Sequence, residues 1–196
     1  MGRIPEAGAA AAALIEQFRR DSDVAALQAG LRSLLYDWPV AAIMELAHAY
    51  GDEVEVAIVL YELVLAREPS NASALVRLGN AYWLAGRGPD AVAKLASEAI
   101  QYDPNNRGAW HLWALAEPDL RSRIARWEQV TKRFPGDDLA LAALADNAAA
   151  LAGAEHDREM LSFAIGKYDE LLARCNVAEQ RAAVQAALDA LRSWQL

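Results

Sequence analysis

Leu75-Val76-Arg77-Leu78-Gly79-Asn80-Ala81-Tyr82, then Gly86, Pro89, Ala91-Val92-Ala93-Lys94-Leu95 and finally Pro104, is the stretch on which the fold turns. Leu75, Leu78, Gly79 and Tyr82 recur at i, i+3, i+4 and i+7, which places them on one face of a helix. Gly86 marks a turn. Pro89 suits the first position of a second helix, where its missing N–H costs nothing and its φ is already helical. That helix carries its own apolar stripe and stops before Pro104. A glycine inside the first helix costs about 1 kcal/mol relative to alanine. The expected compensation at Gly79 is close approach of the partner helix, since no Cβ stands in the way.

Working outward, Pro69, Pro104 and Pro135 lie 35 and 31 residues apart. Each precedes small polar residues, Ser70-Asn71, Asn105-Asn106 and Gly136-Asp137-Asp138, which pair a helix stop with a helix start. The positions six, nine and ten beyond the prolines hold Leu75, Leu78 and Gly79, then Trp110, Trp113 and Ala114, then Leu141, Leu144 and Ala145. This is a large, large, small register on one helical face. Four and five before the prolines stand Leu65 and Val64, Ile100 and Ala99, and Thr131 and Val130, and eight before stand Tyr61, Ala96 and Trp127. Two striped helices per repeat form a hairpin that cannot bury both stripes alone, so neighbours must stack.

The unit Leu75-x2-Leu78-Gly79-x2-Tyr82, Ala91-x3-Leu95, Pro104 resembles the tetratricopeptide repeat family, in a divergent bacterial-type form, with Leu75 where the family pattern has Trp. One residue is inserted between Leu95 and Pro104. The preceding second helix, Ala57-x3-Tyr61 to Pro69, keeps the family spacing, and Ala47 and Tyr50 take the small and aromatic positions before it. Departures are concentrated elsewhere. Glu117-Pro118 cuts the third first-helix short. Gly153-Ala154-Glu155-His156 interrupts the fourth unit before a long helix to Ala173. The resemblance covers roughly residues 40–175 and is tight over 72–106. It implies an all-α, right-handed superhelical stack of antiparallel hairpins.

Within a single domain, 1–196, the expectation is N-terminal capping helices over 8–36, about four hairpins over 38–175 and a C-terminal capping helix over 176–196. Asn176-Val177-Ala178-Glu179 reads as a capping box, with Asn176 accepting from the third helical amide and Glu179 reaching back. Ala183, Ala187, Leu188, Leu191 and Trp194 stripe the last helix. Among the six tryptophans, Trp110, Trp113 and Trp127 are expected in the core, Trp38 and Trp194 at the caps, and Trp83 off the main stripe.

Composition sets limits on function. The chain has 196 residues with 55% hydrophobic and 23% charged, as an ordinary globular protein does. Its net charge of −8 repels nucleic acid and anionic lipid. No apolar run approaches the ~20 residues that span a bilayer, and the alanine-rich start is followed at once by Glu16, Gln17, Arg19 and Arg20, unlike a secretory leader. A cytoplasmic location is expected. Cys175 is the single cysteine, so no internal disulfide forms.

Chemistry-bearing constellations are not found in the sequence. His48, His111 and His156 lack metal-ligand spacing, and there is no glycine-rich phosphate loop. His156-Asp157 and Glu159, like Asp137-Asp138, fit helix ends, where acidic groups meet the positive end of the helix dipole. The expectation is no enzyme, no cofactor and no metal.

What the resemblance implies is binding. First helices of such hairpins line a concave surface that takes extended peptides or helices. Carried onto this sequence, the peptide-binding groove is lined by Met44, His48, Val76, Asn80, Trp83, His111, Leu115 and Asp146, with Ala142 beside them. Val76, Asn80 and Trp83 share a face distinct from the core stripe, and Trp is enriched at binding hot spots. The alternative for Trp83 and Met44 is packing against the protein's own helices. A clamp for the terminal carboxylate of chaperones is argued against, because Val76, Gly108 and Leu112 stand where polar clamp residues belong. The expected function is a scaffold or adaptor for a protein or peptide partner. Self-assembly into homo-oligomers and a chaperone of secreted proteins are the alternatives.

Overall fold

The computed structural model describes residues 3–195, with backbone alone for 3–7. Among the described residues it holds eleven α-helices and no strand: α1 (Arg3–Asp21), α2 (Val24–Leu34), α3 (Val40–Ala49), α4 (Val54–Arg67), α5 (Ala72–Leu84), α6 (Pro89–Tyr102), α7 (Arg107–Leu115), α8 (Leu120–Arg133), α9 (Asp138–Glu155), α10 (Arg158–Arg174) and α11 (Ala178–Arg192). The chain divides into two compact units, Met1–Leu112 and Trp113–Leu196, the division falling inside α7.

Helix starts follow the side chains placed there. Asp23, Asn71, Asp119, Asp137 and Asp157 each accept a hydrogen bond from the amide three residues on, at 2.8–3.2 Å. Each satisfies an amide that the first turn leaves without a helical partner. Pro89 opens α6 as its sequence suggests. The turn before it needs two residues with positive φ, and Gly86 (65°) and Gly88 (91°) supply them. His156 closes α9 in the left-handed conformation, so the break falls at 156–157, just past Gly153.

In the first unit, α2 and α3 both pack on α4, and α5 packs on α4 and α6. Helix α4 is apolar nearly all round because it is surrounded: Val56 to Tyr61, Leu63 and Val64 are all buried. Its last residue, Arg67, donates to the carbonyl oxygens of Leu35, Tyr36 and Trp38 at 2.5–2.7 Å, fastening the α2–α3 turn. In the second unit, α9 takes the central place between α8 and α10, and α11 packs on α10. The positions five and eight before each proline are buried in all three repeats, as their spacing predicts, whereas Leu65, Ile100 and Thr131, four before, are only half-buried at the edge of the stripe.

Three expectations need correction. Along α7 and the residue after it, the buried positions are Ala109, Leu112, Ala114 and Ala116, whereas Trp110 and Trp113 are only half-buried. The stripe is rotated by about one residue because small alanines, not the indoles, fit closest to neighbouring helices. Trp110 instead donates its indole N–H to the Pro104 carbonyl at 2.9 Å, and Trp113 lies under the Arg126 guanidinium, 4.6 Å from the ring centre. Gly79 does make room, but for a side chain of α7 rather than for its hairpin partner. A Cβ there would meet Leu112 Cδ1 at 2.9 Å, against 3.8 Å to Leu95 Cβ on α6. Finally, the Asn176 capping box does not form. Helix α11 starts at Ala178 with Val177 as its cap and no side-chain cap bond. Starting one residue late moves Asn176 out of reach of the third amide. Arg181 closes the turn from the other side, donating to the Leu172 and Cys175 carbonyls at 3.3 and 3.5 Å.

Candidate functional site

The first unit carries a cleft of about 330 Å³ lined by Gly51, Ala57, Tyr61, Arg77, Asn80, Ala81, Trp83 and Leu84. Helix α5 forms one wall. Its buried face, Leu75, Leu78, Gly79 and Ala81, is pinned to the core. That registration turns Arg77, Asn80 and Leu84, at i, i+3 and i+7, outward along one stripe with Trp83 beside it. Trp83 and Leu84 are 42% and 71% exposed. The opposite wall comes from α4, where Tyr61 is only 3% exposed. The bend at Gly51, whose amide donates to the His48 carbonyl at 3.3 Å, closes one end.

Arg77, like Arg20 and Arg32, is in no ion pair among the described residues, but of these three it alone lines the cleft. Arg19, Arg87, Arg121, Arg126, Arg174 and Arg192 pair with carboxylates, while Arg67, Arg123 and Arg181 hold backbone carbonyls. Arg77 has neither kind of partner among the described residues, nor has the Asn80 amide or the Tyr61 hydroxyl. No carboxylate lines the cleft. Burial raises the Tyr61 phenol above its ordinary value and the nearby Arg77 charge works against that shift, so at neutral pH it is an uncharged hydroxyl. Three polar groups able to donate hydrogen bonds therefore converge beside two exposed apolar side chains.

Of the sequence-derived groove residues, Asn80 and Trp83 line this cleft. His48 sits next to it, its ring 6.3 Å from that of Tyr61. Met44 and Val76 are half-buried and pack on core clusters. Val76 also lies against Gly108, where a Cβ would come within 3.1 Å of its methyl. His111 is half-buried on α7 and does not line the cleft. Leu115 and Asp146 belong to the second unit. Leu115 is half-buried, and Asp146 accepts a hydrogen bond from the Tyr168 hydroxyl. Sequence reasoning missed Arg77, Leu84 and Tyr61. The exposed stripe could have supplied the first two, while Tyr61 falls on the core stripe and carried no separate signal.

Among the described residues no group of three or more His, Cys, Asp or Glu side chains is placed to hold a metal ion. No helix there is long and apolar enough to cross a membrane.

Solved structures share the fold. The chain is 14% identical to TTC0263, described as a thermophilic TPR protein in Thermus thermophilus, with a TM-score of 0.61 over 95% of this chain and 100% of that one. It is 17% identical to MamA, with a TM-score of 0.61 over 85% and 95%. It is 18% identical to YrrB, described as a TPR protein with an unusual peptide-binding site, with a TM-score of 0.55 over 78% and 81%. The chain therefore has the tetratricopeptide-type fold of stacked helical hairpins. No family model matches it, and no curated protein matches it.

Proposed function

We propose that this chain is a non-catalytic interaction scaffold that holds a segment of a protein partner against α5, with the Tyr61–Arg77–Asn80–Trp83–Leu84 cleft as the principal contact. The observation that carries this reading is the company Trp83 keeps. A half-exposed indole stands beside hydrogen-bonding groups that the fold leaves unpaired. Arg77 and Asn80 are exposed, so their donors are free to exchange water for an incoming backbone or side chain. An indole gives a rigid apolar platform at small entropic cost. The description of YrrB as having a peptide-binding site is in keeping with this use of the fold.

The test is a selection of dodecapeptides displayed on phage against the full chain, followed by titration of the selected peptides. Trp83→Ala is expected to weaken them at least tenfold, a loss of about 1.4 kcal/mol. Trp194→Ala, at an exposed tryptophan of the second unit, should leave affinity unchanged. Equal affinity for the Trp83→Ala variant would overturn the cleft as the site.

A further inference from the structure

Resting on that reading, we infer that the bound segment carries an aspartate or glutamate side chain against Arg77 and a bulky apolar side chain about three residues away against Trp83. Complementarity of charge carries this inference. The chain has a net charge of −8, and several of its arginines are already neutralised in pairs with its own carboxylates. The guanidinium of Arg77 is left open in a cleft with no carboxylate in its lining. Asp52 is adjacent to Gly51 but lies outside the lining, and Glu55 is held by Arg87 at 2.9 Å. A planar guanidinium presents parallel donors that match a carboxylate. The unpartnered Tyr61 hydroxyl, on a residue more than nine-tenths buried, and the Asn80 amide offer further donors to the same group or to the adjoining backbone.

The spacing follows from helix geometry. Arg77 and Trp83 are six residues apart, or ~9 Å along the helix axis at 1.5 Å per residue. An extended segment advances about 3.3 Å per residue, so ~9 Å corresponds to about three residues. One guanidinium with no lysine beside it suits a single carboxylate. The carboxylate belongs to a side chain within the segment rather than to a chain terminus.

The experiment uses the dodecapeptides selected above and the full chain. Enriched sequences should share an Asp or Glu about three residues from Leu, Ile, Phe, Met or Trp. In a selected peptide, the acid-to-amide change should weaken binding about tenfold, and Arg77→Gln should weaken the parent peptide by the same factor while no longer distinguishing acid from amide. Amidating the peptide C-terminus should change nothing. In a repeat selection, Arg77→Glu should exchange the acidic preference for Lys or Arg at the same position. Because Arg77 is exposed, circular dichroism and the melting midpoint should match the parent chain. Peptides that depend on Trp83 but tolerate both the acid-to-amide change and Arg77→Gln would overturn this inference and leave the cleft standing. Sensitivity to C-terminal amidation in place of the side chain would overturn the assigned source. Peptides indifferent to Trp83→Ala, or no enrichment over a matrix without protein, would overturn the cleft and the inference together.

Discussion

Leu112 of α7 occupies the notch that Gly79 leaves in α5: a Cβ built on Gly79 would come within 2.9 Å of Leu112 Cδ1. Leu112 is itself buried, so the methyl has little space into which it can retreat. Gly79→Ala gains about 1 kcal/mol of helix propensity but overpacks a filled site, which costs about 1–3 kcal/mol. Net destabilisation of about 1 kcal/mol is expected in urea unfolding. In the Gly79→Ala background, Leu112→Val should cost less than it does alone, because it relieves the same clash. Additive effects in this double-mutant cycle would show that the two residues are not coupled.

A second prediction concerns the end of α7. Arg126 stacks on Trp113 at 4.6 Å, donates to the Trp113 carbonyl at 2.6 Å and pairs with Glu117 at 2.6 Å. The Glu117 side chain is only 14% exposed. Arg126→Ala should destabilise the protein by about 2 kcal/mol, because it strands a mostly buried carboxylate and a helix-terminal carbonyl. Arg126→Lys should recover only part of this, since an ammonium lacks the planar fork. Equilibrium unfolding of the two variants, compared with Glu117→Gln, measures the effect.

Acid titration offers a third. The Asp119 carboxylate is held below its ordinary value of 3.8, chiefly by the Ser122 amide whose hydrogen bond it accepts. The folded state therefore favours the charged form. Its contribution is fully present above about pH 4 and is lost as pH falls through the depressed folded value. The difference in urea midpoint between the parent chain and Asp119→Ala should be constant from pH 7 to about pH 5 and shrink progressively below about pH 4. A difference independent of pH would show that the ionised cap is not what stabilises the start of α8.

The alkaline limb runs through tyrosines. Burial raises the phenols of Tyr61, Tyr82 and Tyr168 above their ordinary value of 10.0, and acceptor carboxylates add to this at Tyr82 (Glu62) and Tyr168 (Asp146). Above pH 10 the unfolded chain holds fewer protons at these sites than the folded one, so stability must fall as pH rises. Tyr168→Phe should cost about 1 kcal/mol at neutral pH by removing one hydrogen bond. It should also make the decline above pH 10 shallower. Thermal melts between pH 8 and pH 11 measure both.

The repeat was legible because helical periodicity is a local property of the chain. Leu75, Leu78, Gly79 and Tyr82 can share a face only in a helix, and Gly86 and Pro89 mark where that helix must turn. Asn80 and Trp83 followed as exposed residues from the same register. Which face of α7 is innermost did not follow. Its indole and alanine stripes are one residue apart, and only the position of neighbouring helices chose Ala109 and Leu112 over Trp110 and Trp113.

Sequence alone thus determined that the chain is helical, where its hairpins turn, and which side of α5 meets water. The tertiary structure decided what fills the Gly79 notch, and that Arg77, Asn80 and the Tyr61 hydroxyl meet in a cleft with their hydrogen-bonding capacity unused. The reason is physical. Backbone preference and periodicity act over a few residues, whereas the pairing of a charge is set by groups that folding brings near it from distant parts of the chain. Arginine has the same letter at 77 as at 67, yet one is committed to three carbonyls and the other is open.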